Sequence, residues 1–120
     1  MKIAFSSTGD TLESALDQRF GRSPKFIIYD TDAATFVVVD NTQNLNAAQG
    51  AGIQSAQNVV NAGATALVTG HTGPKAFKVL EAAKIATYLS DAPTVQAALD
   101  AWKKGTLKAS AEADVEGHWV

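Results

Sequence analysis

The chain has 120 residues, a formal net charge of −2, a sequence pI of about 5.5 and no cysteine. That length suits a single domain with its own core. The mild acidity and the presence of only two arginines, Arg19 and Arg22, leave no electrostatic footprint for nucleic acid, and the missing thiols exclude disulfides and cysteine-ligated metals.

The N-terminal Lys2-Ile3-Ala4-Phe5 shows no basic leader ahead of a long apolar core, and no stretch is apolar for long enough to span a bilayer. A cytoplasmic protein with no membrane contact is the expectation. Ile3-Ala4-Phe5-Ser6 reads as a first strand, breaking into the polar turn Ser7-Thr8-Gly9-Asp10-Thr11. Leu12, Ala15 and Leu16 predict a brief helix after it. Ser6, Ser7, Thr8 and Gly9 then form a loop of hydroxyls and backbone N–H groups at a strand end, suited either to a ligand or to helix capping.

Arg19-Phe20-Gly21-Arg22-Ser23-Pro24 is a compact turn with two guanidinium groups around an aromatic and a glycine. The planar forks of Arg19 and Arg22 suit an oxyanion or another diffuse anion; the alternative has Phe20 plugging the core and both arginines merely solvated. Lys25-Phe26-Ile27-Ile28-Tyr29-Asp30 and Thr35-Phe36-Val37-Val38-Val39-Asp40 are β-branched and aromatic runs joined by a four-residue turn, which predicts an antiparallel hairpin. An amide-rich loop starts at Asn41, and residues 47–62 read as a helix with Ile53, Ala56, Val59 and Val60 as its buried stripe. Gly50 and Gly52 in its first turns call for a reason, such as close backbone approach or a later start, since glycine inside a helix costs roughly 1 kcal/mol relative to alanine.

The stretch Val68-Thr69-Gly70-His71-Thr72-Gly73-Pro74-Lys75 carries the clearest functional signal. An apolar run over residues 65–69 ends in a glycine-flanked turn, and Pro74 opens a helical pattern through Leu80 and Ala83. Strand, glycine turn and helix start have the geometry of an anion site, because the N–H groups of the first turn are free and partly positive, and equally that of an ordinary strand-to-helix connection with a satisfied surface histidine. Gly70, His71, Thr72, Gly73 and Lys75 are candidate binding residues there. A last strand at residues 85–89 and a helix marked by Val95, Ala98, Leu99 and Trp102 complete the domain, with Gly105 as its stop and residues 106–120 as a flexible tail.

The order reads β-α-β-β-α-β-α-β-α. Right-handed crossovers make strands one, four and five parallel, and the hairpin adds two more at an edge, giving an α/β mixed five-stranded sheet with helices on both faces. With strand one central, the ends of strands one, three and four share a rim that collects Ser6–Gly9, Asn41 and Gly70–Lys75. Arg22 and His71 add polar groups, and the surface is shaped for something negative.

Phe20-Gly21-Arg22, the Asn41 loop, Gly50 with Gly52, and Gly70-His71-Thr72-Gly73, in this order, resemble the dinitrogenase iron–molybdenum cofactor biosynthesis family of NifX/NifB type. The similarity covers roughly residues 1–105. It implies a ribonuclease-H-like fold and a non-enzymatic carrier or assembly role. The absence of cysteine and the Gly70–Gly73 loop are most like those members that hold a molybdenum–copper sulfide cluster without covalent bonds. The resemblance therefore implies a cluster or thiomolybdate as ligand, cluster-donor or cluster-acceptor proteins as partners, and a monomer, with His71 the one candidate for direct contact with metal. Family members often carry a histidine just before Phe-Gly-Arg, where this chain has Arg19.

Two other classes compete. A ribonuclease-H-like nuclease needs carboxylates clustered on the central strand to hold paired metal ions, and Ile3-Ala4-Phe5-Ser6 has none. A small-molecule or nucleotide-binding module remains open, although the chain has neither a phosphate-loop lysine motif nor a dinucleotide fingerprint.

Overall fold

The computed structural model describes residues 1–42, 51–107 and 109–110. β1 (Lys2–Ser7) is buried along all but its first residue because strands flank it on both sides. The sheet order is β3-β2-β1-β4-β5, with β2 at Lys25–Asp30, β3 at Thr35–Asp40, β4 at Ala66–Thr69 and β5 at Ala86–Leu89. β1 pairs parallel with β4 and β4 parallel with β5, while β1–β2 and β2–β3 are antiparallel. The mixed sheet and its edge hairpin follow the sequence expectation.

Alternation along the strands divides the core in two. Ala4, Phe26, Ile28 and Leu67 face α1 (Ala51–Asn61) and α2 (Pro74–Ala82), where Ala56, Val59, Ala76 and Leu80 meet them. Ile3, Phe5, Ile27, Tyr29 and Val68 face α3 (Val95–Lys103), against Val95, Ala98 and Leu99. Each large side chain so buried contributes about 1.5–3 kcal/mol of transfer free energy, and both layers are needed to cover strands that are apolar on both faces. Trp102 packs partly buried at the margin of the second layer, in the packing role its spacing indicated.

The helix expected at Leu12 to Leu16 does not form. Leu16 and Ala15 instead make isolated bridges to Ser7 and Thr94. The carbonyls of Leu12 and Ser14 accept from the backbone N–H groups of Gln96 and Val95 at 2.8 and 2.9 Å. A run this short is below the length at which a helix pays its nucleation cost, and its carbonyls gain more by satisfying the exposed first turn of α3.

One further correction concerns the second predicted helix: Ile53 is 41% exposed rather than part of the buried stripe. Ile53 lines a surface hollow together with Gly52 and Pro74. Residues 47–50 of that expected helix lie outside the described residues, which include Ala51–Asn61. After Gly105, Leu107 packs on the α3-side core and Ser110 donates its N–H to the Thr87 carbonyl of β5. His118 and Trp119 lie outside the described residues. Among those described, no helix is long and apolar enough to cross a membrane.

Candidate functional site

Phe20 anchors the site. It is 1% exposed, and its ring lies 5.3 Å from that of Phe26, centroid to centroid. That anchor draws a short 3-10 turn, η1 (Phe20–Arg22), against the beginning of α1. There a Cβ on Gly21 would come within 3.2 Å of the Gly52 Cα, and a Cβ on Gly52 within 3.3 Å of the Ala76 Cβ. Three elements are thus brought backbone-close by three small residues. A Cβ on Gly52 would meet only the Ala76 side chain, so a glycine in this helix goes with close packing of α2, while the close backbone approach is the one Gly21 makes to it.

Above this contact lies a hollow of about 320 Å³, lined by Gly21, Gly52, Ile53, Gly73, Pro74, Lys75 and Ala76. Its size falls at the small end of small-molecule sites. The walls are apolar surface from Ile53, Pro74 and Ala76, with exposed backbone at the glycines. Its polar character comes from the start of α2.

The two helix starts on the carboxyl rim differ in a way that bears on binding. At α3 every early N–H is satisfied: Val95 and Gln96 donate to the Ser14 and Leu12 carbonyls, and Ala97 donates to the Thr94 side chain at 3.1 Å. At α2 the N-cap is Gly73, which has no side chain to cap with, and Pro74 at N1 has no N–H. Among the described residues no acceptor meets the N–H of Lys75 or Ala76, and no carboxylate pairs with the exposed Lys75 ammonium. Partial positive charge and a full cation therefore face the same apolar hollow.

The predicted site residues do not all converge there. Gly73 and Lys75 line the hollow; the half-buried Arg22, next in sequence to Gly21, is not among its lining residues. Gly70 and the exposed His71 line a different hollow, of about 370 Å³, with Gln18, Leu89, Ser90, Asp91 and Leu107. The β4–α2 loop thus forms a wall of each, divided by the buried Thr72. Gly70 is required by the chain that crosses it, since a Cβ there would lie 2.6 Å from the Gln18 Cα. The Phe20 N–H donates to the His71 carbonyl at 3.2 Å, which joins η1 to the same loop.

Ser6, Ser7 and Asn41 lie inside the protein, with no exposed surface, and not on a ligand-facing rim. Ser6 Oγ donates to the Asp17 carbonyl at 2.6 Å and lies 2.7 Å from Thr69 Oγ1, tying β1 to β4. Ser7 Oγ donates to the Gly9 carbonyl at 2.8 Å and accepts from the Gly9 N–H, while the exposed Thr8 donates its N–H to the Ala15 carbonyl. Asn41 Nδ2 donates to the Ser23 carbonyl at 2.7 Å and to Ser55 Oγ at 2.9 Å, and its Oδ1 accepts from Asn58 Nδ2 at 2.6 Å. These strand-end polar groups satisfy buried backbone next to the site, because hydroxyls and amides that end up under a loop must find partners within the fold.

Gly21, Gly52, Ile53 and Ala76 were not singled out as binding residues by sequence reasoning. The signal available was Gly52 itself, an unfavourable helix residue placed three elements away from Gly21. Ile53 was hidden by its phase with the core. Among the described residues, no three His, Asp or Glu side chains gather in a group that could hold a metal ion. Asp40, at the end of β3, has its carboxyl held below the usual aspartate range, chiefly by the Thr42 N–H donating at 2.9 Å.

Fold and hollow together define a small α/β binding domain of the open mixed-sheet type, with its cavity on the carboxyl rim between helix starts. The chain belongs to the dinitrogenase iron–molybdenum cofactor family, whose model matches residues 1–105. It is similar to the orange protein of Desulfovibrio gigas, solved in its apo form, with a TM-score of 0.91 and 34% identity over 94% of this chain and 95% of that one. A NifB-like protein from Thermotoga aligns with a TM-score of 0.80 and 37% identity over 90% of this chain and 91% of that chain. An uncharacterized protein of Methanocaldococcus jannaschii is 27% identical over 111 residues, 90% of each chain.

Proposed function

We propose that the protein is a non-enzymatic carrier or assembly protein that holds a molybdenum–copper sulfide cluster non-covalently in the hollow between η1, α1 and α2. The observation that carries this reading is the hollow itself. Its apolar walls and glycine floor meet two helix N–H groups and one ammonium that have no acceptor or carboxylate partner among the described residues, with no thiol anywhere in the chain.

The donor set suits such a group. A protein without cysteine offers no soft inner shell, so a cluster bound here brings its own sulfides. Bridging and terminal sulfides are large, polarisable and anionic. They pack against Ile53, Pro74 and Ala76 and accept weak hydrogen bonds from the N–H groups of Lys75 and Ala76, while Lys75 and Arg22 balance the charge. The cradle is one that a Cβ at Gly21 would fill. Similarity to the orange protein, whose apo form implies a removable group, supports the same reading. Storage or handing-on of the cluster to other proteins of cofactor assembly accords with the family, and the cytoplasm is the compartment where that chemistry is expected.

A metal-dependent nuclease is disfavoured. Its metal pair would need several carboxylates converging on β1, which carries none.

The test is to mix the apo-protein with tetrathiomolybdate and a copper salt, desalt it, and record the visible spectrum with metal analysis. Colour retained with molybdenum and copper in fixed ratio to protein is the expected result. A colourless protein fraction rejects the molybdenum–copper assignment.

A further inference from the structure

We infer that two copies of the chain associate reversibly through β3, edge to edge and antiparallel about Val37, so that the two sheets become one. β3 is an edge strand, and Phe36, Val37 and Val38 are 37%, 63% and 37% exposed. These are three consecutive members of the short set of large apolar side chains left exposed among the described residues. A six-residue edge strand normally carries a lysine, a proline or a bulge that discourages pairing. β3 has none of these, and its pairing with β2 is unbroken from Thr35 to Asp40. The opposite edge is treated differently, because Ala109 bridges to Tyr88 and Ser110 donates to Thr87 along β5.

The second copy is favoured as the occupant by self-complementarity of face, hydrogen bonding and charge. The Asn41 N–H donates inward to the Pro24 carbonyl at 2.8 Å, one step beyond the Lys25–Asp40 pair. Bonded positions alternate in an antiparallel ladder, so Thr35, Val37 and Val39 bond to β2 while the N–H and C=O groups of Phe36, Val38 and Asp40 point outward. A two-fold axis perpendicular to the sheet keeps each face continuous, so odd positions must pair with odd and even with even. Centring the axis on Val37 meets both conditions. Phe36 then forms a hydrogen-bonded pair with Val38 of the second copy, and Val38 with its Phe36.

Those two side chains share the face of Ile27 and Tyr29, so each cross-strand pair extends an existing apolar row. Val37 meets its own copy on the other face. The charge pattern agrees with this centre. Asp40, the only charged residue of β3, falls outside the paired section, opposite the turn of the second copy. Centring on Val38 would instead set Asp40 against Phe36. A single strand edge buries less than the roughly 1,000 Å² of a durable interface, so the association is concentration-dependent.

Sedimentation of the full chain from micromolar to millimolar concentration tests this, with Val37→Lys as the edge-breaking variant and circular dichroism to verify its fold. The wild type is expected to rise from 12.5 kDa towards twice that mass, and Val37→Lys to stay monomeric. The absence of cysteine permits an independent measurement with single thiols. Val37→Cys is a non-hydrogen-bonded pair with its own copy, about 4.5 Å between Cα atoms and within disulfide reach. Thr35 and its copy lie four residues apart along the strands, about 14 Å. Oxidation is expected to link Val37→Cys chains about tenfold faster than Thr35→Cys chains. A wild type that stays monomeric throughout, a Val37→Lys variant that still dimerises, or equal cross-linking of the two thiol variants would overturn the inference. In the first case the edge is left for a strand of a different protein.

Discussion

Gly21 and Gly52 meet backbone to backbone: a Cβ on Gly21 would sit 3.2 Å from the Gly52 Cα and 3.3 Å from its nitrogen. The 3-10 turn and the start of α1 are therefore as close as two chains come without a side chain between them. The floor of the hollow is that contact.

Gly21→Ala is expected to push η1 away from α1, since the neighbour is backbone and cannot rotate aside. Overpacking of this kind costs about 1–3 kcal/mol. Urea unfolding should show that loss together with weaker retention of a reconstituted cluster. Gly73→Ala is the control, since nothing lies within 4 Å of a Cβ there and its φ of −81° suits any residue. Its stability should change by less than about 1 kcal/mol. Equal losses in the two variants would contradict the role given to the glycine contact.

Lys75 contributes charge to the hollow without contributing to the core. Lys75→Ala should leave stability within about 0.5 kcal/mol of wild type. It should also lower the metal-to-protein ratio retained after desalting, as should Arg22→Ala. His71 lines the neighbouring hollow, so His71→Ala should have a smaller effect on retention than Lys75→Ala. The reverse order would move the binding site to the other side of the β4–α2 loop.

Asn41 is a structural hub. Asn41→Ala removes both Nδ2 donors and the Oδ1 acceptor, leaving the Ser23 carbonyl and the Asn58 amide without those partners. Each buried group left unsatisfied costs about 1–3 kcal/mol, so the variant should lose about 3 kcal/mol in denaturant unfolding. A loss well under 1 kcal/mol would mean that water replaces the side chain and that Asn41 is more accessible than its burial shows.

Two carboxylates at strand ends, the half-buried Asp30 and the exposed Asp40, titrate below the ordinary aspartate range. Asp30 is lowered chiefly by the Ala33 N–H and then by the Asp32 N–H, and Asp40 by the Thr42 N–H. Because each folded value is depressed, the unfolded chain takes up the proton first as pH falls. Their contribution is complete above the ordinary aspartate pKa and is lost as pH drops through the lowered folded values. Carboxyl chemical-shift titration should place both midpoints below that of an aspartate in a short peptide. Midpoints at or above the peptide value would show that the turn N–H groups do not hold these carboxylates in solution.

The hairpin, the three parallel strands and the helix opened by Pro74 were legible from the sequence, because period, β-branching, turn residues and a proline act within a few residues of one another. β2 and β3 have the very bounds their apolar runs indicate. The character of the rim was legible too, since Gly70 to Lys75 combines a glycine turn with a helix start whatever lies around it. Tertiary structure decided the rest. Residues 12–16 gave up a local helix to cap α3, Ile53 fell outside the core it was in phase with, and Ser6, Ser7 and Asn41 turned inward. The rim divided into two hollows because Gln18 crosses Gly70 and Gly21 crosses Gly52. Those crossings depend on which distant backbone arrives at a glycine, and local periodicity carries no information about that.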